Sequence, residues 1–100
     1  INSSVQMVHP KLMNKRVVFY GAGNIGKALY PVYGKACNIV GWVDKKYKLI
    51  PDIFCESISD PQDIICLDFD YILIAVENNV IKEEIRRRLL EMGVDNEKII

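Results

Sequence analysis

Histidine, cysteine and tryptophan are scarce in this sequence: one His, three Cys and one Trp among 100 residues. No sign of charge prevails either, since Lys+Arg and Asp+Glu both number 13. Each scarcity excludes something. A neutral chain has no global field to draw in DNA, RNA or an anionic membrane. The single histidine, His9, has no partner nearby in the sequence and reads as a solvated residue of a linker. Cys37, Cys55 and Cys66 match no C-x-x-C or zinc spacing, and an odd count without a framework favours a reducing compartment. Each lies among apolar residues and is expected to be a small core residue. No apolar run approaches the ~18 residues of a membrane span. The N-terminal residues lack the charged-then-apolar pattern of a signal peptide, which makes the expected location cytoplasmic.

What is present is an ordinary α/β composition, with 50% hydrophobic and 26% charged residues. A chain of this size is expected to form one domain with a core of its own. Residues 1–14 have weak periodicity and a proline at 10, and read as a linker, an arm or the end of a preceding domain. Residues 15–100 read as the single domain, a fragment of a larger protein.

Val17-Val18-Phe19-Tyr20 is a short β-branched and aromatic run stopped by glycine, the pattern of a buried parallel strand. Ile25, Ala28, Leu29, Val32 and Tyr33 then recur at helical spacing. Pro31 should kink this helix or end it early, and Gly34 is a plausible stop. Ile39 to Asp44 is a second strand, and Ile53-Phe54-Cys55 a short third. Ser59-Asp60-Pro61 reads as a capped start of a short helix running to Leu67. Tyr71 to Val76 is the clearest central strand. Asn78 or Asn79 introduces a helix over about 80–92, with Ile81, Ile85, Leu89 and Met92 on its apolar face and Leu90 beside it. Gly93 ends it. Lys98-Ile99-Ile100 begins a fifth strand. Strands alternating with helices predict a parallel sheet of about five strands covered on both faces, in the order 3-2-1-4-5.

The first strand, its turn and its helix carry the chemistry. The turn reads Gly21-Ala22-Gly23-Asn24-Ile25-Gly26. The first N–H groups of a helix lack intrahelical acceptors and, with the helix dipole, attract an anion. Gly21 permits a tight turn, Gly23 lets a phosphate approach the backbone, and Gly26 lets helix and strand pack closely. Asp44 ends the next strand near the spacing, about 20 residues on, of a carboxylate that hydrogen-bonds a ribose. This is the Rossmann-type β-α-β arrangement, a three-layer α/β sandwich. A carboxylate at Asp44 repels a 2′-phosphate, favouring NAD over NADP. Lys45 and Lys46 could pair with a phosphate or be solvated loop residues. Ala75 and Glu77 stand at the carboxyl edge of the central strand, where ligands bind in open α/β sheets. Glu77-Asn78-Asn79 could touch a ligand or cap the helix. Arg86-Arg87-Arg88, among Glu83, Glu84 and Glu91, reads as a salt-bridged solvated face rather than a nucleic-acid patch. Tyr20 and Trp42 lie on strands and are expected in the core.

Catalytic motifs are missing. No Tyr-x-x-x-Lys pair, G-x-S-x-G elbow or Walker A lysine occurs. The domain is therefore expected to bind rather than react, and no catalytic or metal-ligating residue is assigned.

From Lys15 onward the chain resembles the small Rossmann domains of bacterial surface-polysaccharide synthesis. These are the N-terminal domains of nucleotide-sugar epimerase/dehydratases and of sugar acyltransferases, with related modules attached to glycosyltransferases and methyltransferases. The resemblance rests on Val17 to Lys27, on Ile39 to Asp44, on Phe69-Asp70-Tyr71-Ile72-Leu73-Ile74-Ala75 and on Leu90-Glu91-Met92-Gly93-Val94. It implies a dinucleotide at Gly21, Gly23, Gly26 and Asp44, or part of a nucleotide-sugar in the same turn. The partners implied are a nucleotide or nucleotide-sugar and other domains of the parent protein, with neither nucleic acid nor membrane insertion. An alternative is an interaction module that docks a partner domain or pairs as a homodimer, with the glycines serving packing alone. A methyltransferase core would need a longer sheet.

Overall fold

The computed structural model describes residues 8–100, so the part of the expected arm at 1–7 lies outside the described residues. The domain is α/β, built on a parallel sheet of three strands in the order β2-β1-β3. Strand β1 spans Arg16–Tyr20, helix α1 Asn24–Ala36, β2 Asn38–Val43, β3 Tyr71–Ile74 and helix α2 Asn79–Glu91. Short 3-10 turns lie at Pro10–Leu12, Tyr47–Leu49, Pro61–Cys66 and Asn96–Lys98.

Strand β1 is central, and Val17, Val18, Phe19 and Tyr20 are all buried, as a strand covered on both faces must be. Successive side chains point to opposite faces. Val17 and Phe19 pack with Trp42 of β2 and Tyr33 of α1. Val18 and Tyr20 pack with Ile72 and Ile74 of β3, Leu89 of α2 and Ile64. The register between β1 and β2 shifts after Val17, so that Val18 faces Gly41 rather than Val40.

Several expectations are corrected. The third strand does not form at Ile53-Phe54-Cys55. Ile53 and Glu56 exchange backbone hydrogen bonds of 2.9 and 2.8 Å, and Phe54 and Cys55 between them have φ of 53° and 64°. Positive φ at both central residues makes this a two-residue hairpin turn. The place beside β2 is taken instead by a single parallel bridge, Val43 to Ser59. Pro61, which has no N–H to donate, then starts a 3-10 turn capped by Asp60, whose carboxylate accepts from the Gln62 N–H at 3.0 Å. The fifth strand is also reduced to one bridge, Ile72 to Ile99, because the Asn96–Lys98 turn has already consumed Lys98.

Pro31 neither ends nor shortens α1, and Gly34 lies inside the helix. Pro31 and Lys27, whose carbonyl loses its partner, are both exposed, so water can serve that carbonyl. Two cysteines are not core residues: Cys55 and Cys66 are exposed, and only Cys37 is half-buried, its thiol pushed up by burial. Residues 9–14 are docked rather than free. Leu12 is fully buried, Asn14 donates to the Ala36 carbonyl at 2.8 Å, and the His9 N–H donates to the Tyr33 hydroxyl at 3.1 Å. On α2, Leu89 is buried, whereas Ile81 and Leu90 are each 42% exposed.

Arg16 and Asp70 tie the starts of β1 and β3 together. The Arg16 backbone N–H donates to Asp70 Oδ2 at 2.9 Å, and Nη2 reaches Oδ1 at 3.1 Å, while Nη1 pairs with Asp68. The Arg16 side chain and then its backbone N–H hold the Asp70 carboxyl below its ordinary range. A depressed carboxyl stabilises the fold above its unfolded-state value, and that contribution is lost as pH falls through the folded one. Asp70→Asn is therefore expected to lower the unfolding midpoint at pH 7 and to flatten its fall below about pH 4. Denaturant titrations from pH 7 to pH 2.5 check this; parallel wild-type and variant curves would refute it.

Candidate functional site

The carboxyl ends of β1 and β3 stay paired, and beyond them the start of α1, the loop after β2 and α2 border a cleft of about 550 Å³, a normal size for a small-molecule site. Gly21 sits at its floor with φ of 123°, and a Cβ there would lie 2.7 Å from the Ala75 carbonyl oxygen. Only glycine accepts both that backbone and that approach. The Gly21 N–H donates to the Val43 carbonyl at 2.8 Å, and its own carbonyl accepts from the Trp42 indole N–H at 2.7 Å. The turn is thus held from above and below.

Gly26 and Gly23 have opposite surroundings. A Cβ at Gly26 would stand 2.1 Å from the Gly21 carbonyl oxygen, whereas one at Gly23 would meet nothing within 4 Å. Gly26 is therefore a packing residue behind the turn, and it does not line the cleft. Gly23 is the N-cap of α1, in an extended conformation and without a side chain to cap the helix. No acid stands in the first turn. The leading N–H groups of this 13-residue helix have neither intrahelical acceptors nor a side-chain cap. Helix α2 differs: the Asn78 side chain accepts from Val80 at 2.8 Å and Ile81 at 3.1 Å. Of the two roles open to the Glu77-Asn78-Asn79 segment, Asn78 takes capping while Glu77 lines the cleft.

Asp44 closes the far side. Its Oδ2 accepts from the Ala22 N–H and its Oδ1 from the Lys46 N–H, both at 2.8 Å. The carboxylate thereby couples the glycine turn to the loop after β2. Each oxygen keeps a lone pair for another donor.

Nine of the ten residues singled out in the sequence meet here: Gly21, Ala22, Gly23, Asn24, Ile25, Asp44, Lys45, Ala75 and Glu77 all border the cleft. Tyr20, Ile81, Ile85 and Arg88, expected in the core or on a helix face, border it too, as does Ile50. The signal for three of them was legible, since Ile81, Ile85 and Arg88 follow the i, i+4, i+7 spacing of one helical face. Arg86 behaves as expected for a surface residue, pairing with Glu83 at 3.3 Å. Tyr20 is buried, and this desolvation raises its phenol above the usual tyrosine value; Arg88 opposes the rise, and Asp44 and Asp60 add to it. Among the described residues there is no group of three or more His, Cys, Asp or Glu side chains able to hold a metal ion. No helix there is long and apolar enough to cross a membrane.

One substitution made at two glycines of the motif separates packing from access. Gly26→Ala is expected to cost about 3 kcal/mol or more, because its Cβ meets backbone that cannot yield. Gly23→Ala should cost less than about 1 kcal/mol, as the change of an N-cap from glycine with open space around it. Denaturant unfolding of both variants checks the contrast, and equal losses would refute it.

No curated protein matches the chain. A family described as C2185-like, N-terminal, matches over residues 13–100, which takes in the whole sheet, both helices and every residue of the cleft. On that coverage the chain belongs to the C2185-like N-terminal family.

Proposed function

We propose that the cleft binds a nucleotide, NAD foremost, and that the domain is a Rossmann-like binding module of a larger bacterial protein of sugar-nucleotide or surface-polysaccharide synthesis. The observation that carries this reading is the uncapped N-terminus of α1, opening onto the cleft beside Asp44. A phosphate there would take the N–H groups that no side chain serves. The open space over Gly23 admits it. The spare lone pairs of Asp44 suit ribose hydroxyls, and its charge disfavours a 2′-phosphate. Counting the bridges at Ser59 and Ile99 as the outermost strands would give the order 3-2-1-4-5. The role is binding, with any reaction left to other parts of the parent protein; NAD when bound would supply a nicotinamide for hydride transfer.

A second reading is an interaction module whose glycines serve packing alone. It is favoured by the engagement of both Asp44 oxygens with backbone N–H groups. In that case the acid stabilises the turn rather than awaiting a ligand.

Calorimetric titration with NAD, NADH, NADP and UDP-sugars separates the two. Binding of NAD is expected, weaker for NADP, and lost in Gly23→Asp, whose carboxylate would cap α1 from the phosphate position. A hundredfold excess of ligand over its Kd should add about 2.7 kcal/mol to the unfolding free energy. Silence toward all four at millimolar concentration would leave the interaction module as the better account.

A further inference from the structure

The wall of the cleft on the α2 side carries a tyrosine whose ring is buried and whose hydroxyl has no protein partner among the described residues. Tyr20 is only 3% exposed, and its ring packs among Val18, Val43, Ile74 and Leu89. Its hydroxyl has no hydrogen-bond partner among the described residues. No unpartnered polar side-chain atom among them is sealed from solvent, so what remains accessible of Tyr20 includes that oxygen, on the side where the residue borders the cleft. A hydroxyl held in place by a buried ring and left without a protein partner can donate to a ligand oxygen at little cost in side-chain freedom.

Arg88 borders the same cleft from α2. It makes no ion pair or hydrogen bond among the described residues, unlike Arg86 two positions earlier. Glu84, one helical turn away and also on the cleft, does not come within ion-pair distance of it. Lys45 and Arg88 together also border an adjoining hollow of about 420 Å³, so the two cations stand where the spaces meet. Of the acids here, Asp44 is held by two backbone N–H groups and Asp60 by the N–H of Gln62. Glu77 and Glu84 on the cleft and Glu91 on the hollow form no ion pair with either cation. The wall therefore offers one hydroxyl donor and two uncommitted cations, the equipment for a phosphate.

We infer that Tyr20 and Arg88 form a second phosphate anchor, facing the one at the start of α1, so that the cleft takes a nucleotide with two phosphates rather than a monophosphate. The inference rests on the nucleotide reading above and makes it more specific. The second phosphate would follow the first in a diphosphate, since the charge of Asp44 on the same cleft disfavours one on the ribose.

Calorimetry with adenosine, AMP, ADP and adenosine 2′,5′-bisphosphate tests it on wild type, Tyr20→Phe, Arg88→Gln and, as a control away from the cleft, Arg87→Gln. ADP should bind wild type about tenfold tighter than AMP, and adenosine 2′,5′-bisphosphate should not. Arg88→Gln should erase that gain and Tyr20→Phe should reduce it about fivefold, leaving AMP affinity and Arg87→Gln unchanged. A gain for adenosine 2′,5′-bisphosphate in place of ADP would overturn the diphosphate placement. Tyr20→Phe removes a hydroxyl that bonds nothing, so the fold should survive, and a thermal melt verifies it. If AMP binds as well as ADP, or if the gain of ADP survives in both variants, the second anchor is wrong while the nucleotide reading stands. If wild type binds none of the four, both are wrong.

Discussion

The domain depends on one close approach, that of α1 to the turn it grows from. At Gly26 the helix backbone passes so near the Gly21 carbonyl that a Cβ would lie 2.1 Å from its oxygen. With hydrogen in that place, the helix can begin directly over the end of β1, its free N–H groups at the mouth of the cleft. Gly21 in turn approaches the Ala75 carbonyl at the end of β3, which sets how closely the third strand borders the turn. A bulkier residue at either position would push apart the elements that enclose the site.

That approach is locked by the core as well as by the turn. The Trp42 indole donates to the Gly21 carbonyl, and the same ring stacks on Tyr30 of α1 with centroids 3.8 Å apart. Phe19 meets both rings edge-on, at 5.4 Å from Tyr30 and 6.0 Å from Trp42. One aromatic cluster thus fixes α1 on the sheet and orients the peptide at the floor of the cleft. On the opposite face, Tyr20 belongs to the packing of α2 and still ends at the cleft. Core and site share side chains, so the geometry of the one is set by the packing of the other.

Most of the central elements could be read from the chain because local rules and tertiary packing agree there. The β-branched run before Gly21, the helical spacing after it and the caps at Asp60 and Asn78 each rest on short-range physics. The edges were not legible. Ile53 to Cys55 has the composition of a strand, yet its backbone turns back on itself, and a single residue, Ser59, pairs with β2. Pro31 signals a break, but α1 is pinned near both ends, by Gly26 against the turn and Tyr33 in the core, and the proline faces solvent. Cys55 and Cys66 stand among apolar neighbours in the sequence and project outward all the same, because apolar neighbours along a chain need not share its face.

By itself the sequence determined that a strand, a glycine turn, a helix, a second strand and an acid follow in order. Glycine spacing and apolar periodicity are local properties, and they sufficed to name nine residues that border the cleft. Only the tertiary structure decided what each glycine does, since Gly23 and Gly26 look alike in the motif and differ only in what lies above them. It alone engaged Asp44 with the turn and brought Tyr20 and Arg88 to one wall. The first follows from the pairing of β2 with β1 and the second from the packing of α2 against β1, and no local pattern encodes a distance of that kind.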